Sequence, residues 1–209
     1  MDIGIIGAGR VAQAFARHAL NVGHTIHISN SRGPSTIGDT VHTLGAGVTA
    51  VTTAEAAACA IVVLAVPWDD VVGVLTPLPP WQQQILIDAT NAHMDIKPDI
   101  SLAGVTRSRA ALEGRTSSEI VAEMAVGARL VKSISNMPMA WIQDFSPNKP
   151  RTVIFTSGDD TEAKQLVIEL INSTGLEAVD LGSLAIGGAM HEVGAPLSAI
   201  DLHFVRRLR

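Results

Sequence analysis

An α/β fold with a doubly wound parallel sheet is predicted by three features of this 209-residue sequence. Short runs of β-branched residues alternate with Ala-rich stretches at helical spacing, the order in which strand–helix–strand units occur. Hydrophobic residues make up 47% of the chain and charged residues only 17%, which excludes intrinsic disorder and allows a sizeable core. The hydrophobic residues are mainly aliphatic, since aromatic residues make up 3%, and this suits strands covered by helices.

The same patterns place the individual elements. Strands are predicted at Asp2–Ile6, Thr25–Ser29, Val48–Val51, Ala60–Val66, Ile85–Asp88, Arg129–Ile134, Thr152–Thr156 and Glu177–Asp180. Helices are predicted at Arg10–Val22, Thr36–Leu44, Thr53–Ala58, Trp68–Leu75, Thr116–Val126 and Thr161–Ser173, with a last helix from about Ala195.

Local signals set several of these boundaries. Val11 and Phe15 begin an apolar stripe at helical spacing, and Gly23 ends that first helix. Thr116 is followed at the third position by a glutamate, the capping-box spacing that starts a helix. Residues 92–116 are polar and have no clear period, so we expect a long loop there.

The strongest local signal is a G-x-G-x-x-A turn at residues 7–12. It follows an apolar strand and opens an amphipathic helix, the context in which this motif binds a dinucleotide. Gly7 permits the tight turn, Gly9 lets the backbone approach a pyrophosphate, and Ala12 allows helix and strand to pack closely. The free N–H groups of the helix then face the anion. A glycine turn required only for packing is the alternative interpretation.

The end of the second strand indicates which dinucleotide binds. An NAD site carries Asp or Glu about 20 residues past the glycines, which accepts a hydrogen bond from the ribose 2′-hydroxyl. Residues 29–32 instead read Ser-Asn-Ser-Arg. Ser31 can donate to a 2′-phosphate and Arg32 can pair with it, so NADP(H) is favoured over NAD(H). The alternative for Arg32 is an exposed loop arginine that contacts no ligand.

Two further strand ends belong to the same edge of the sheet, where ligands of open α/β sheets bind. Residues 65–67 read Ala-Val-Pro, and small residues there let the nicotinamide ribose pass. Thr90 and Asn91 offer hydrogen bonds after the fifth strand, although Asn91 can equally be a turn former. Trp68 is either a core residue at a helix start or part of a ring-stacking site.

Other classes of site and partner are not expected. The single cysteine, Cys59, cannot form an internal disulfide, and no Cys/His spacing resembles a metal site. The seven histidines are scattered, and Lys132, near the carboxyl edge, is expected to be solvated, so the catalytic residues remain unknown. A formal net charge of -5 gives no field that would attract a nucleic acid. The longest apolar run, residues 60–66, is too short to span a bilayer, and a cytoplasmic protein is expected.

The chain resembles the NADPH-dependent reductases of the deazaflavin coenzyme F-420 and the dinucleotide-binding oxidoreductases related to them. The resemblance rests on residues 7–11, 30–34, 65–67, 88–91, 131–132, 157–160, 195–197 and 202. It implies a Rossmann domain, placed here at residues 1–151, a small C-terminal α/β domain at 152–209, and a flavin-like ring laid against the nicotinamide. Family members usually read Lys-Ala-Phe-Asn where residues 132–136 of this chain read Lys-Ser-Ile-Ser-Asn.

Together, the strand ends and the resemblance predict a set of cofactor-binding residues. The set is Gly7, Ala8, Gly9, Arg10, Val11, Asn30, Ser31, Arg32, Ala65, Val66, Pro67 and Asn91. The expected co-substrates are NADP(H) and a small-molecule redox acceptor, namely coenzyme F-420, FMN or FAD.

Three functions are compatible with these residues. The first is hydride transfer between NADPH and a flavin-like or deazaflavin ring, which needs apposition of two rings and little help from side-chain acids. The second is reduction of a small imine or carbonyl compound, which needs a proton donor that related families supply from a longer helical C-terminal domain. The third is an NADP(H)-sensing binding protein, since a binding motif does not prove turnover.

The apolar tail predicts a homodimer. Its large hydrophobic residues are Leu197, Ile200, Leu202, Phe204, Val205 and Leu208. In a helix they would cover more than one face, and a second subunit is the expected partner for the excess. The alternative is that this helix folds back on the small C-terminal sheet.

Overall fold

The computed structural model describes residues 1–92, 112–136 and 150–205. Their strands are β1 (Asp2–Ile6), β2 (Thr25–Ser29), β3 (Val48–Ala50), β4 (Ile61–Leu64), β5 (Ile85–Asp88), β6 (Arg129–Ser133), β7 (Arg151–Gly158), β8 (Glu177–Asp180) and β9 (His203–Phe204). Their α-helices are α1 (Arg10–Asn21), α2 (Gly38–Leu44), α3 (Thr53–Ala57), α4 (Val71–Leu75), α5 (Ser117–Met124), α6 (Thr161–Ser173) and α7 (Ala189–His191). Short 3₁₀ turns lie at Pro34–Thr36 and Trp68–Asp70, and a π turn lies at Leu184–Gly188.

The strands form one continuous sheet in the order β3-β2-β1-β4-β5-β6-β7-β8. Strands β1 to β6 are parallel to one another, β7 is antiparallel to β6, and β8 is parallel to β7. The order 3-2-1-4-5-6 within this sheet is that of a Rossmann fold. The fold class predicted from the sequence is therefore confirmed. The division into residues 1–151 and 152–209 stays a prediction, and β7, which begins at Arg151, continues the same sheet.

The two faces of the sheet each carry a hydrophobic core, because successive side chains of a strand point to opposite faces. Ile3, Ile5 and Val63 pack with α1 and α6 on one face. Ile6 and Leu64 pack with α3, α4 and α5 on the other. Helices therefore cover both faces of the parallel strands, which explains the aliphatic runs in the sequence.

Most predicted boundaries agree with the structure to within a few residues. The capping box is confirmed: the Thr116 hydroxyl accepts from the Glu119 N–H, and the Glu119 carboxylate accepts from the Thr116 N–H. The helix predicted from Trp68 begins instead as a 3₁₀ turn and becomes α-helical at Val71. The loop predicted at 92–116 falls largely outside the described residues.

The predicted terminal helix from Ala195 is wrong. Turns follow α7, Ala199 has a left-handed φ of 55°, and the chain then forms β9, which pairs antiparallel with β7. The physical reason is an open edge: β6 pairs with residues 156–158 of β7, so the main chain at the start of β7 lacks that neighbour. The tail fills the edge, and the Val153 N–H donates to the Leu202 carbonyl at 2.8 Å. Leu208 lies outside the described residues.

Candidate active site at the carboxyl edge of the sheet

Gly7 is required by both backbone conformation and space. Its φ of 117° is one that residues with a side chain rarely adopt, and a Cβ there would lie 2.2 Å from the Ala65 carbonyl oxygen. Its N–H donates to the Ser29 carbonyl at 3.0 Å. The turn after β1 is thus wedged between the ends of β2 and β4, which brings three of the predicted strand ends together.

Gly9 has no such packing reason to be glycine. A Cβ at Gly9 would meet nothing within 4 Å, so its α-carbon faces open space at the N-terminus of α1. Gly9 is the N-cap of α1 and no side chain caps the first N–H groups. The Gln13 side-chain nitrogen donates to the Ala8 carbonyl at 2.9 Å, which ties the glycine turn to α1. This arrangement fits a pyrophosphate, which needs close backbone approach and unpaired helix N–H groups.

The remaining predicted nucleotide contacts lie at the neighbouring strand ends. Arg10, Ser31 and Arg32 are exposed, while Val11 is half-buried against the first core. The loop from Asn30 to Thr36 contains no carboxylate. A phosphate on the ribose 2′-oxygen would therefore meet a hydroxyl and a guanidinium there, and no loop carboxylate.

The turn after β4 is tied to β1. The Ala65 N–H donates to the Ile6 carbonyl at 2.8 Å, and Ala65 and Val66 are half-buried. Pro67 is exposed and precedes the 3₁₀ turn. Trp68 packs against the second hydrophobic core, as a core residue at a helix start does.

Asn91 links three segments at the end of β5. Its amide nitrogen donates to the Ser135 carbonyl at 2.9 Å, and its amide oxygen accepts from the Val193 N–H at 3.3 Å. The side chain therefore holds the ends of β5 and β6 to the segment after α7. A contact between Asn91 and a ligand stays a prediction.

A buried ionic cluster lies beside Asn91, and the expectation that Lys132 is solvated is wrong. The Lys132 side chain is 0% exposed because it lies beneath the N-terminus of α5 rather than beyond the strand end. Its ammonium donates to the Thr90 carbonyl at 3.1 Å and to the Ser117 hydroxyl at 3.4 Å. It also lies 3.9 Å from the carboxylate of Asp88, its register partner on β5.

Both carboxylates of this cluster are hydrogen-bonded within the protein. Asp88 accepts from the main chain and hydroxyl of Thr90, at 2.9 and 2.7 Å, and from the Ser118 hydroxyl at 2.5 Å. Glu192 accepts from the Ser117 N–H at 2.5 Å and from its hydroxyl at 2.6 Å. Ionised groups buried in this way are stable only with such partners.

His191 connects this buried cluster to β7. Its Nε2 lies 3.1 Å from the hydroxyl of Ser157, the register partner of Lys132 on β7. Burial, reinforced by the nearby charge of Lys132, lowers the pKa of His191 to about 3, so the imidazole is neutral. This cluster was not predicted from the sequence. The available signal was the presence of two charged residues, Asp88 and Lys132, in largely apolar strands.

The segment after β6 is strained and underbonded. Ile134 is fully buried and has a left-handed φ of 60°, which is rare for a β-branched residue. The Asn136 amide oxygen accepts from the Phe155 N–H at 3.4 Å. Ser135 Oγ and Asn136 Nδ2 are buried without a partner among the described residues. The positive φ is found where this chain departs from the Lys-Ala-Phe-Asn pattern.

Two further observations concern metals and membranes. Within residues 1–92, 112–136 and 150–205, no three His, Cys, Asp or Glu side chains are grouped as a metal site would require. None of the helices formed by those residues is long and apolar enough to cross a bilayer.

Comparisons with known proteins place the chain among NAD(P)-binding oxidoreductases. A family model described as NADP oxidoreductase, coenzyme F-420-dependent, matches residues 2–92. The structure of the hypothetical protein SMa0349 from Sinorhizobium meliloti is 35% identical with a TM-score of 0.87, covering 98% of this chain and 97% of that one. No curated protein sequence matches.

Two more distant structures share the fold. A candidate F-420-dependent NADP-reductase from Arthrobacter sp. FB24 is 22% identical with a TM-score of 0.69, covering 87% of this chain and 85% of that one. An imine reductase from a Pseudomonas species is 16% identical with a TM-score of 0.58, and the match covers 87% of this chain but 55% of the reductase.

Proposed function

Because the N-terminal region of this chain, residues 2–92, belongs to the family described as NADP oxidoreductase, coenzyme F-420-dependent, we propose that the chain transfers a hydride between NADP(H) and a flavin-like or deazaflavin ring. The acceptors we name are coenzyme F-420, FMN and FAD. The nicotinamide would supply the hydride, and the protein would supply binding, orientation and exclusion of water.

The observation that best supports binding of NADP(H) is the open space beside the Gly9 α-carbon. A glycine whose Cβ would touch nothing has no packing role, and it stands at the uncapped N-terminus of α1. Gly7 and Gly9 would receive the pyrophosphate, and the exposed Ser31 and Arg32 would receive the 2′-phosphate. Residues 65–67 would border the nicotinamide ribose.

The proposed ring acceptor is supported by the burial and hydrogen bonding of the acidic and basic side chains at this edge. Asp88 and Lys132 are fully buried and hydrogen-bonded within the protein, and Glu192 is nearly so. None of these three presents a free proton donor to a substrate. A ring that accepts a hydride with little help from side-chain acids suits such an edge better than an imine or a carbonyl does.

Reduction of a small imine or carbonyl compound is the second candidate. It is favoured by the proximity of Lys132 to His191 near the carboxyl edge, because these are the residue types that deliver a proton. This candidate requires a movement that exposes one of them. The Lys132→Met variant would then lose turnover of the imine or keto acid.

The test is oxidation of NADPH by the whole chain in the presence of coenzyme F-420, FMN or FAD, followed at the nicotinamide absorbance band. Oxidation with at least one ring acceptor supports the proposal, with Arg32→Ala as the nucleotide-site control. Turnover confined to a small imine or keto acid supports the second candidate. Tight NADPH binding without oxidation by any acceptor overturns both and indicates an NADP(H)-sensing protein.

We also propose that the chain forms a homodimer through its C-terminal segment. The predicted terminal helix does not form over residues 195–205, but three large apolar residues of this segment remain exposed. Ile200, Leu202 and Val205 are 36%, 38% and 81% exposed. A second copy covering them would remove apolar surface from water, and two-fold pairing is the commonest closed arrangement.

A further inference from the structure

We propose that the side chains of Asn30 and Thr36 form a clamp that holds residues 31–35 in the shape that selects NADP(H) over NAD(H). Both are thus specificity-determining positioning residues, a role distinct from the direct ligand contact predicted for Asn30. The inference rests on the proposed function, because it concerns the 2′-phosphate end of the same nucleotide site.

The first half of the clamp is a turn closed by Asn30. The Gly33 N–H donates to the Asn30 carbonyl at 3.4 Å, which makes residues 30–33 a β-turn. Inside it, the Asn30 side-chain oxygen accepts from the Arg32 N–H at 3.2 Å. Such an Asx interaction fixes the turn and leaves its central residues, Ser31 and Arg32, exposed.

The second half is Thr36, which joins both ends of the loop. The Asn30 side-chain nitrogen donates to the Thr36 hydroxyl at 2.8 Å, and that hydroxyl donates to the Gly33 carbonyl at 2.8 Å. The Thr36 N–H donates to the same carbonyl at 3.1 Å. One threonine hydroxyl therefore connects the start of the loop to its middle.

These hydrogen bonds matter because apolar packing does little to order the loop. The 3₁₀ turn Pro34–Thr36 buries no residue, and apolar contacts with the core begin only after the loop, at Ile37 and at the partly buried Val41 and Leu44 of α2. An exposed loop held by so few contacts loses conformational freedom when it binds. A clamp that orders it beforehand reduces that loss and so raises affinity.

The clamp also explains selectivity. Asn30 follows β2 directly, where an NAD site has a carboxylate that accepts from the ribose 2′-hydroxyl. Here the Asn30 oxygen is occupied by the Arg32 N–H, and the side chain carries no charge. NADH therefore finds no carboxylate for its 2′-hydroxyl, while a 2′-phosphate finds Ser31 and Arg32 held ready.

The test compares Thr36→Val, which removes the hydroxyl, with Thr36→Ser, which keeps it. Dissociation constants for NADPH and NADH are measured by titration of the whole chain. We expect Thr36→Val to weaken NADPH binding about three- to tenfold, because the released loop must be ordered when the nucleotide binds, and Thr36→Ser to retain it. NADH binding is expected to be unchanged in both, and the thermal unfolding midpoint of Thr36→Val should fall by about 4 °C at most.

A second variant, Asn30→Asp, tests the electrostatic half. It keeps the oxygen that accepts from Arg32, removes the donor to Thr36 and adds a negative charge, so the preference for NADPH should fall at least tenfold. Unchanged NADPH affinity in Thr36→Val would overturn the clamp, as would equal losses for the two nucleotides, and an unchanged NADPH preference in Asn30→Asp would overturn its electrostatic part. The proposed function fails separately, if the wild type binds neither nucleotide.

Discussion

Lys132 and Asp88 stand side by side on β6 and β5, with ammonium and carboxylate 3.9 Å apart and both side chains 0% exposed. The closest partner of the ammonium is the Thr90 carbonyl, at 3.1 Å. This pair couples β5 to β6 at the carboxyl edge of the sheet. The hydrogen bonds of Asp88 and Lys132 to Thr90 fix the turn at residues 88–91.

Breaking the buried Lys132–Asp88 pair should lower the free energy of unfolding far more than breaking a surface ion pair whose charged atoms are closer together. Lys132→Met leaves the Asp88 charge uncompensated, and we expect the free energy of unfolding to fall by about 3 kcal/mol or more. The control is Arg115→Met, whose guanidinium lies 2.7 Å from the Glu123 carboxylate while the two side chains are 38% and 61% exposed, with an expected cost of about 1 kcal/mol or less. Urea denaturation of both variants measures this. Equal losses would show that burial does not decide the effect.

The two glycines of the turn should separate folding from binding. Gly7→Ala forces a strained φ and a contact with the Ala65 carbonyl, so we expect a loss of about 2 kcal/mol or more in stability. Gly9→Ala meets no protein atom, and its stability should change by less than about 1 kcal/mol. NADPH binding should nevertheless weaken in Gly9→Ala. Unchanged NADPH binding in Gly9→Ala would mean that no ligand approaches that α-carbon.

Arg32 should determine cofactor preference. We expect Arg32→Ala to weaken NADPH binding about ten- to hundredfold, since a charge-assisted contact to phosphate is worth about 1.5–3 kcal/mol. NADH binding should change little, and added salt should reduce the NADPH preference of the wild type. Equal losses for both nucleotides would assign Arg32 to adenine stacking instead. Tighter binding of NADH than NADPH by the wild type would contradict the NADP(H) assignment.

His191 should make stability depend on pH. Its pKa is lowered to about 3 in the folded chain from an ordinary value of 6.5. Between these values the unfolded chain binds a proton that the folded chain does not. Stability is therefore lost as pH falls through this window, by up to about 1.4 kcal/mol per pH unit.

The variant His191→Gln tests this dependence. Its free energy of unfolding, measured from pH 7 to pH 4, should fall less steeply than that of the wild type. His42→Gln, an exposed change on α2, should keep the wild-type slope. If His191→Gln keeps the wild-type slope as well, the imidazole is not held neutral.

The proposed homodimer is tested by light scattering at micromolar concentration. A mass near twice 21.9 kDa supports pairing. Replacing Val205, 81% exposed, by Asp should then shift the mass toward the monomer without changing the unfolding cooperativity of each subunit. A wild-type mass near 21.9 kDa would rule the dimer out.

The strands and the nucleotide turn could be predicted because their signals are local. Alternation of aliphatic runs with helical stripes marks each element, and the glycine turn is complete within residues 7–12. The loop at 30–36 was recognised for its charge, whereas its clamp depends on three-dimensional hydrogen bonds.

The ionic cluster and the tail could not be predicted for a different reason. Asp88, Lys132 and Glu192 are far apart in the sequence and meet only when β5, β6 and the segment after α7 assemble. In the tail, apolar residues at 200, 202 and 204 fit alternation as well as helical spacing. The tail forms a strand because the first residues of β7 lack a neighbour on one side. The register between β7 and β6 creates this open edge.

The most direct test of hydride transfer uses NADPH carrying deuterium at both positions of the reactive nicotinamide carbon, with coenzyme F-420, FMN or FAD as acceptor. Oxidation of the nicotinamide removes one of the two deuterium atoms by any route, so the informative measurement is where that atom goes. With the deazaflavin, which takes a hydride on carbon, direct transfer predicts that mass spectrometry finds one deuterium on the reduced acceptor. Reduced deazaflavin without deuterium, or no reduction of any ring acceptor by a chain that binds NADPH, would contradict the account.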